Sequence, residues 1–361
     1  MTTALVFLAI LMVAVVIHEL AHYLNARSVG LEVKAFSVGM GPVIWRKMWR
    51  GTEWRISLLP IGGYVDLPGM APETDEDGNL RYAENGFSQK NLWQKLWILI
   101  GGVIANYVLA VLLLSFVISQ EPFYRSLTLG LGPDEVGTVF SGVNEGSAAE
   151  QLGIQSRDVV LELNGVVNPS GSVVSETIKT ADVLDFRLER NGNPLTISTP
   201  WPLEPPQNPS ESPMLGVYLS PNYPKINYWQ AINETLAFTV RIIPDTVRSI
   251  FKSFGQTFTL QQAEEVAGPV GMVKLVNQAT RDGPLTVLLV AALINFSLAI
   301  FNLLPIPALD GGRMLMAIIV AIRGKPLPPG REEMIHFMGF ALLIAFMLLL
   351  TSNEIMGLFR N

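Results

Sequence analysis

Four apolar stretches constrain this chain more than any other feature of the sequence. They cover residues 4–24, 96–119, 285–309 and 336–352. A helix needs roughly 20 mostly apolar residues to cross a bilayer. The first three stretches meet this length, although Pro305 and Pro307 interrupt the third, and the fourth is marginal. The sequence therefore predicts a multi-pass α-helical membrane protein with about four transmembrane helices.

Composition narrows the class of protein further. Only 16% of the residues are charged and the mean hydropathy is +0.36, whereas a soluble domain carries about a quarter charged residues. The absence of cysteine from the sequence excludes a disulfide scaffold, a thiolate zinc site and a cysteine nucleophile. A formal net charge of -6 predicts no nucleic-acid partner. The leading residues lack a positive charge, so we expect 4–24 to be a retained span and not a signal peptide.

The distribution of lysine and arginine predicts how these spans are oriented. Basic residues cluster between the first two stretches and between the last two, whereas residues 121–227 hold 6 basic and 13 acidic side chains. Loops rich in Lys and Arg remain cytoplasmic. We therefore expect the 121–227 segment and both chain ends to lie on the extracytoplasmic side.

Residues 121–227 have the pattern of a water-soluble domain. Short β-rich runs alternate with Gly, Asn and Pro turns. The stretch SAAEQLGI at 147–154, followed by DVVLELNG at 158–165, resembles a PDZ domain. That resemblance implies one PDZ copy over 132–202, an α+β fold with a partly open β-barrel. Residues 200–224 are then predicted to be a Pro-rich linker, and 228–260 an amphipathic helical region.

The first apolar stretch ends in a metal-ligand pattern. His18-Glu19-Leu20-Ala21-His22 fits H-E-x-x-H. Residues four apart share a helix face, so both imidazoles can reach one cation. Glu19 lies beside them and can act as a general base. Two imidazoles and a carboxylate within an apolar span are costly unless they bind something. The pattern therefore predicts a metal site, against the alternative of a polar surface on a soluble helix.

A catalytic zinc site needs a third protein ligand and an open position for water. His336, the remaining histidine, begins the fourth stretch beside two glutamates and is more simply an interfacial residue. Asp310 is the stronger candidate, because it is the first charged residue after the third stretch and follows two prolines. In the predicted topology, Asp310 and His18 reach the same side of the membrane.

These motifs together resemble the site-two protease family of intramembrane zinc metalloproteases, in its bacterial RseP-like branch. The resemblance rests on HELAH at 18–22, FSVGMGP at 36–42, PIGGYV at 60–65, GGVIAN at 101–106, GPVGM at 268–272 and NLLPIPALDGG at 302–312. It implies that His18, His22 and Asp310 bind Zn²⁺ and that Glu19 is the catalytic base. Members of this branch often carry two PDZ copies, and a histidine where Arg313 stands.

The same resemblance divides the chain and assigns residues that contact substrate. It implies an N-terminal membrane half over 1–120, a linker and helical region over 203–284, and a C-terminal membrane half over 285–361. A membrane-re-entrant β-hairpin is expected at 53–66, turning at Gly62-Gly63, with substrate contact from Gly62 to Tyr64; a purely structural cytoplasmic hairpin is the alternative. Three asparagines within the apolar stretches are candidates either for holding substrate or for packing helices together: Asn106, Asn295 and Asn302.

The predicted function is zinc-dependent cleavage of single-span membrane proteins in the bacterial cytoplasmic (inner) membrane. The resemblance implies regulators of the anti-sigma-factor type or remnant signal peptides as substrates, and an upstream protease that cuts the same substrate first. Two alternatives remain at this point: an inactive PDZ-bearing scaffold and a metal transporter. A transporter predicts more polar residues along the spans, and a scaffold has no use for Glu19.

Overall fold

The computed structural model of the chain describes residues 2–74, 80–83, 85–129, 135–203, 213–258, 268–325, 327–328 and 330–358. Its helices are α1 Thr2–Ser28, α2 Leu92–Gln120, α3 Pro122–Leu129, α4 Ala148–Gln151, α5 Gly171–Thr180, α6 Tyr228–Phe258, α7 Pro269–Asp282, α8 Pro284–Leu303, α9 Asp310–Arg323 and α10 Arg331–Leu358. Its strands are β1 Ala35–Trp49, β2 Thr52–Asp66, β3 Glu73–Thr74, β4 Leu80–Arg81, β5 Thr138–Val143, β6 Val159–Leu163, β7 Val166–Val167, β8 Val183–Arg190, β9 Asn193–Pro200 and β10 Val217–Pro221.

Four of the described helices are long and apolar enough to cross a membrane, which confirms the predicted number. The candidate spans are Thr3–Ser28, Leu92–Gln120, Pro284–Leu303 and Arg331–Met356. Two boundaries differ from the prediction. The third span ends at Leu303, because the prolines at 305 and 307 cannot continue a helix. The fourth is longer than expected, because its first turn includes charged residues that a hydropathy criterion leaves out.

The chain divides into two compact units. The first comprises residues 1–114 and 239–361, and the second comprises residues 115–238. In the first unit, the end of α1 packs against β1 and the start of α2 through a buried cluster. This cluster contains Tyr23, Leu31, Phe36, Ile98 and Leu99. The packing fixes the C-terminal turns of α1, which carry the H-E-x-x-H pattern.

The prediction of a hairpin within 53–66 is wrong in two respects: its two halves do not pair with each other, and the tight turn is not at Gly62-Gly63. The tight turn is at Arg50-Gly51, both with positive φ, and it joins β1 to β2. Residues 35–38 lie opposite both 53–56 and 63–66. The start of β1 therefore separates the two halves of β2, and the chain reverses direction between 57 and 62. Sequence alternation predicted strands here but gave no sign of the interposed segment.

The second unit contains an antiparallel sheet with the order β10-β5-β6-β8-β9, in which β7 also pairs with β6. Its core is formed by buried side chains that include Phe140, Leu163, Val174, Phe186 and Trp201. The predicted linker at 200–224 is wrong in part, because residues 217–221 form edge strand β10 against β5. Residues 204–212 of that predicted linker, and 132–134 of the predicted domain, lie outside the described residues.

Candidate metal centre

The two histidines of the H-E-x-x-H pattern lie on one face of α1, as their spacing requires. Their Nε2 atoms are 3.0 Å apart, and their rings meet edge to face with centroids 4.7 Å apart. His22 is 7% exposed. Its Nδ1 lies 2.8 Å from the carbonyl oxygen of Ile98, on α2. A carbonyl only accepts, so Nδ1 carries the proton, and in the neutral ring Nε2 presents a bare lone pair.

Glycines of α2 allow this close packing. A Cβ atom at Gly102 would lie 2.5–2.6 Å from three ring atoms of His18. Such distances are far below van der Waals contact, so a side chain at this position and the present imidazole orientation are incompatible. At the preceding residue, a Cβ on Gly101 would meet the Asn25 amide nitrogen at 2.6 Å. Gly102 therefore determines directly where the His18 imidazole can lie.

Asp310 reaches the two histidines from the break between α8 and α9. The chain leaves α8 at Leu303, passes through Ala308 with φ +82°, and starts α9 at Asp310 itself. The Asp310 Oδ2 atom lies 3.0 Å from His18 Nε2 and 3.3 Å from His22 Nε2. Glycines at 311 and 312 pack their backbone against the carbonyl oxygens of Leu304 and Ile306, so the first turn of α9 lies tightly on this break.

The three facing atoms suit a divalent cation and little else. Their separations of 3.0, 3.0 and 3.3 Å approach the edge of about 3.3 Å for a tetrahedron with zinc–ligand bonds of about 2.0–2.1 Å. The two imidazole Nε2 atoms are the polar partners that the structure places nearest to Asp310 Oδ2. Wherever these atoms turn lone pairs toward one another they repel, and a bound cation removes that cost. The donor set, two imidazoles and a carboxylate, is one that Zn²⁺ accepts.

Asn106 lies against the other side of His18. Its side chain is 1% exposed, and its amide nitrogen Nδ2 is 3.4 Å from His18 Nδ1. The amide oxygen has no hydrogen-bond partner within the described chain. Oxygen and nitrogen exchange places by a half-turn of the amide. With the oxygen toward His18 it accepts the Nδ1 proton, which leaves His18 Nε2 free as a ligand atom.

Glu19 lies beside the ligand triangle and is held by the second half of β2. Its carboxylate accepts a hydrogen bond from the Val65 backbone N–H. A Cβ at Gly63 would lie 3.6 Å from Glu19 Cγ and 2.8 Å from the Ser37 carbonyl oxygen. Within the described chain, residues 63–66 pair with β1 along one edge, and the Val65 N–H on their other edge points to Glu19. The strand thus brings extended backbone directly to Glu19.

The structure gives the remaining predicted site residues different surroundings. Tyr64 OH accepts a hydrogen bond from Arg55 at 2.9 Å. Gly62, with φ +76°, lies against the Met40 side chain. Asn295 is 1% exposed and donates to the Ala291 carbonyl of its own helix at 2.8 Å.

Asn302 is half-buried near the end of α8. His336, predicted to be interfacial, is buried in the protein and accepts a hydrogen bond from the Ala308 backbone N–H. Sequence reasoning also missed the contribution of Gly102 and of the Ile98 carbonyl oxygen.

Comparison with known proteins extends over nearly the whole chain. The family described as Peptidase family M50 matches residues 6–346. A zinc metalloprotease RasP of Shouchella clausii is 30% identical, over 99% of this chain and 100% of the relative. A zinc metalloprotease RasP of Geobacillus kaustophilus is 27% identical, over 98% of this chain and 97% of the relative. ARASP, a chloroplastic membrane metalloprotease of Arabidopsis thaliana, is 30% identical, over 97% of this chain and 78% of the relative.

Proposed function

This chain belongs to peptidase family M50, with Zn²⁺ as its cofactor, and from that premise we propose that it cleaves peptide bonds within the membrane-spanning segments of single-span proteins. One observation carries the proposal. Three possible ligand atoms, one each from His18, His22 and Asp310, lie within 4.8 Å of one another beside apolar helices, and Glu19 lies next to them on the same helix. An apolar protein interior does not retain such a group without a ligand.

The residues have separate roles in this reaction. His18, His22 and Asp310 would hold the metal ion, as the three protein ligands that a catalytic zinc site needs. When bound, Zn²⁺ lowers the pKa of water toward about 7 and polarises the scissile carbonyl. Glu19 takes the proton from the attacking water and later delivers it to the leaving amine. The carbon–nitrogen bond then breaks, and the products are a carboxylate and an amine.

The substrate backbone has to be extended before it can be cut, because a helix hides its carbonyl groups in hydrogen bonds. The free edge of 63–66 offers a strand with which an extended peptide can pair. The Val65 N–H points to Glu19 along that edge, so a peptide paired there lies within reach of the base. Gly62, Gly63 and Tyr64 are the substrate-contacting residues of this proposal. Irregular backbone at this depth is tolerated where it lines a cavity.

The second unit supplies substrate selection in the same proposal. We infer that it is the single PDZ domain of this chain and that it lies on the extracytoplasmic side of the bacterial inner membrane. Its antiparallel sheet and helices α4 and α5 support the first inference. The acidic balance of 121–227 supports the second. The partners would be membrane-protein or signal-peptide substrates already trimmed by an upstream protease.

The test combines zinc content with cleavage in proteoliposomes. The purified parent is expected to bind one Zn²⁺ and to cut a single-span substrate within its apolar segment. Asp310→Ala removes one of three ligands, so both zinc and cleavage are expected to be lost. Fragment masses locate the cut. Cleavage outside the apolar segment would contradict the intramembrane proposal.

The same assay separates the alternative functions. A scaffold binds the substrate and leaves it intact in the zinc-loaded parent. A transporter moves ⁶⁵Zn into the vesicles without producing fragments. Either result in the parent protein would contradict the proposed protease activity.

Asn106→Leu is expected to weaken zinc binding about 10–100-fold, as is typical when a partner of a ligating histidine is lost. Leucine has a similar size but cannot accept the His18 Nδ1 proton. The matched control is Asn295→Leu, since that asparagine is equally buried but bonds within its own helix. Its zinc affinity is expected to equal that of the parent. A competition titration against a zinc-binding dye measures both, and equal losses would point to general packing damage.

A further inference from the structure

We propose that His336, on α10, is a positioning residue that holds the turn presenting Asp310 to the two imidazoles. The inference rests on the proposed role of Asp310 as a metal ligand. It concerns a residue that lies outside the ligand triangle and whose position in the sequence suggested only an interfacial histidine.

The turn before Asp310 contains an unfavourable backbone conformation. Ala308 has φ +82°, in the left-handed region that residues with a Cβ atom avoid. Such a conformation persists when surrounding contacts hold it. Ala308 lies two residues before the carboxylate, so a change in its dihedral angles would redirect Asp310.

His336 makes the contact that holds this conformation. The Ala308 backbone N–H donates to His336 Nδ1 at 2.9 Å, and the imidazole is 7% exposed. Accepting at Nδ1 requires the neutral tautomer with its proton on Nε2. Within the described chain, no group accepts a hydrogen bond from Nε2, and the Glu332 carboxylate lies 3.8 Å away. Among the described residues, the Ala308 N–H is therefore the one hydrogen-bond partner that accounts for an imidazole at this buried position.

Gly339 provides a second contact between α10 and the same turn. A Cβ atom at Gly339 would collide with the Pro307 carbonyl oxygen and would lie 2.5 Å from the Pro307 Cβ. Residues 336 and 339 are three apart and share one face of the helix. The helix thus meets Pro307 by close backbone packing and Ala308 by a hydrogen bond.

Both ends of α10 are fixed, so it can serve as a rigid support for the turn. Near its start, Glu333 accepts a hydrogen bond from Tyr82 at 3.2 Å. Burial and the nearby Glu333 carboxylate raise the pKa of Tyr82 to about 12, so its hydroxyl remains protonated as a donor. Near its end, the Glu354 carboxylate accepts from the backbone N–H groups of Gly268, Val270 and Gly271 at 2.8–3.1 Å.

The first experiment measures zinc affinity by dye competition, with substrate cleavage as the second readout. His336→Leu, which fills the space but cannot accept, is expected to weaken zinc binding about 10–100-fold. His336→Asn is expected to restore it to within a few-fold, because the amide oxygen occupies nearly the position of Nδ1.

A double variant separates positioning from general stability. Glycine adopts positive φ without the Cβ penalty. Ala308→Gly therefore removes the backbone strain that the hydrogen bond between Ala308 and His336 otherwise offsets. Ala308→Gly in the His336→Leu background is expected to recover most of the lost zinc affinity. A residue that merely stabilises the fold would show no such recovery.

Gly339→Ala tests the second contact and keeps the proposal falsifiable if His336→Leu does not accumulate. It leaves every polar group in place, pushes on Pro307, and is expected to weaken zinc binding in the same way. Gly255→Ala on α6 is the control, since no described heavy atom outside its own neighbourhood lies within 4 Å of a Cβ there.

Parent-like zinc affinity in both His336→Leu and Gly339→Ala would overturn the positioning role. Asp310→Ala distinguishes this failure from that of the proposed function. If Asp310→Ala abolishes zinc binding while those two variants do not, only this inference fails. If Asp310→Ala also retains zinc, the assignment of the ligand itself fails.

Discussion

Replacing Glu19 by glutamine is expected to leave Zn²⁺ bound and to slow cleavage of a single-span substrate by about 10²–10⁴-fold, the usual contribution of a general base. Glutamine has the same shape and can still contact the second half of β2. It cannot take a proton from the attacking water at neutral pH. Because Glu19 is outside the ligand triangle, zinc affinity should be nearly unchanged.

The measurement pairs zinc stoichiometry with the initial rate of fragment formation. Glu32→Gln is the matched control: it makes the same chemical change at an exposed position shortly after α1, and its rate should equal that of the parent. Loss of zinc from Glu19→Gln would mean that the carboxylate supports the metal and not the proton transfer. Full activity would assign the base to another group.

Local patterns predicted the parts of this molecule that depend on local physics. Hydropathy located four spans because crossing lipid requires a continuous apolar helix. The spacing of His18 and His22 placed both on one helix face, where the structure brings their Nε2 atoms within 3.0 Å. Neither inference needed information about which segments pack together.

Features that depend on packing between distant segments were not accessible in this way. No sequence period indicates that residues 217–221 of the predicted linker pair with β5 as strand β10, or that residues 35–38 separate the two halves of β2. The same applies to the role of His336, whose partner is a backbone N–H in a strained turn. The predicted topology placed Asp310 and His18 on the same side of the membrane, but their contact was expected mainly from family resemblance, since 292 positions separate them in the sequence.

Gly102→Ala is expected to weaken zinc binding about 100-fold, the upper end of what loss of a ligand's support costs, and to lower cleavage with it. The added Cβ would lie 2.5–2.6 Å from Cε1, Nδ1 and Nε2 of His18. Either the imidazole turns away from the triangle, or α2 retreats and takes the Ile98 carbonyl oxygen from His22. Both responses disturb the ligand atoms of His18, His22 and Asp310, although the substitution itself removes no charge and no ligand.

Gly101→Ala is the control that isolates the effect on His18. It makes the same substitution one residue earlier, where the Cβ meets the Asn25 amide nitrogen at 2.6 Å. That side chain can turn away, at the cost of its hydrogen bond to the Trp97 carbonyl, about 1 kcal/mol of stability. We therefore expect a lower melting temperature with zinc affinity within a few-fold of the parent. Equal zinc loss in both variants would show that spacing between α1 and α2, and not contact with His18, controls the metal.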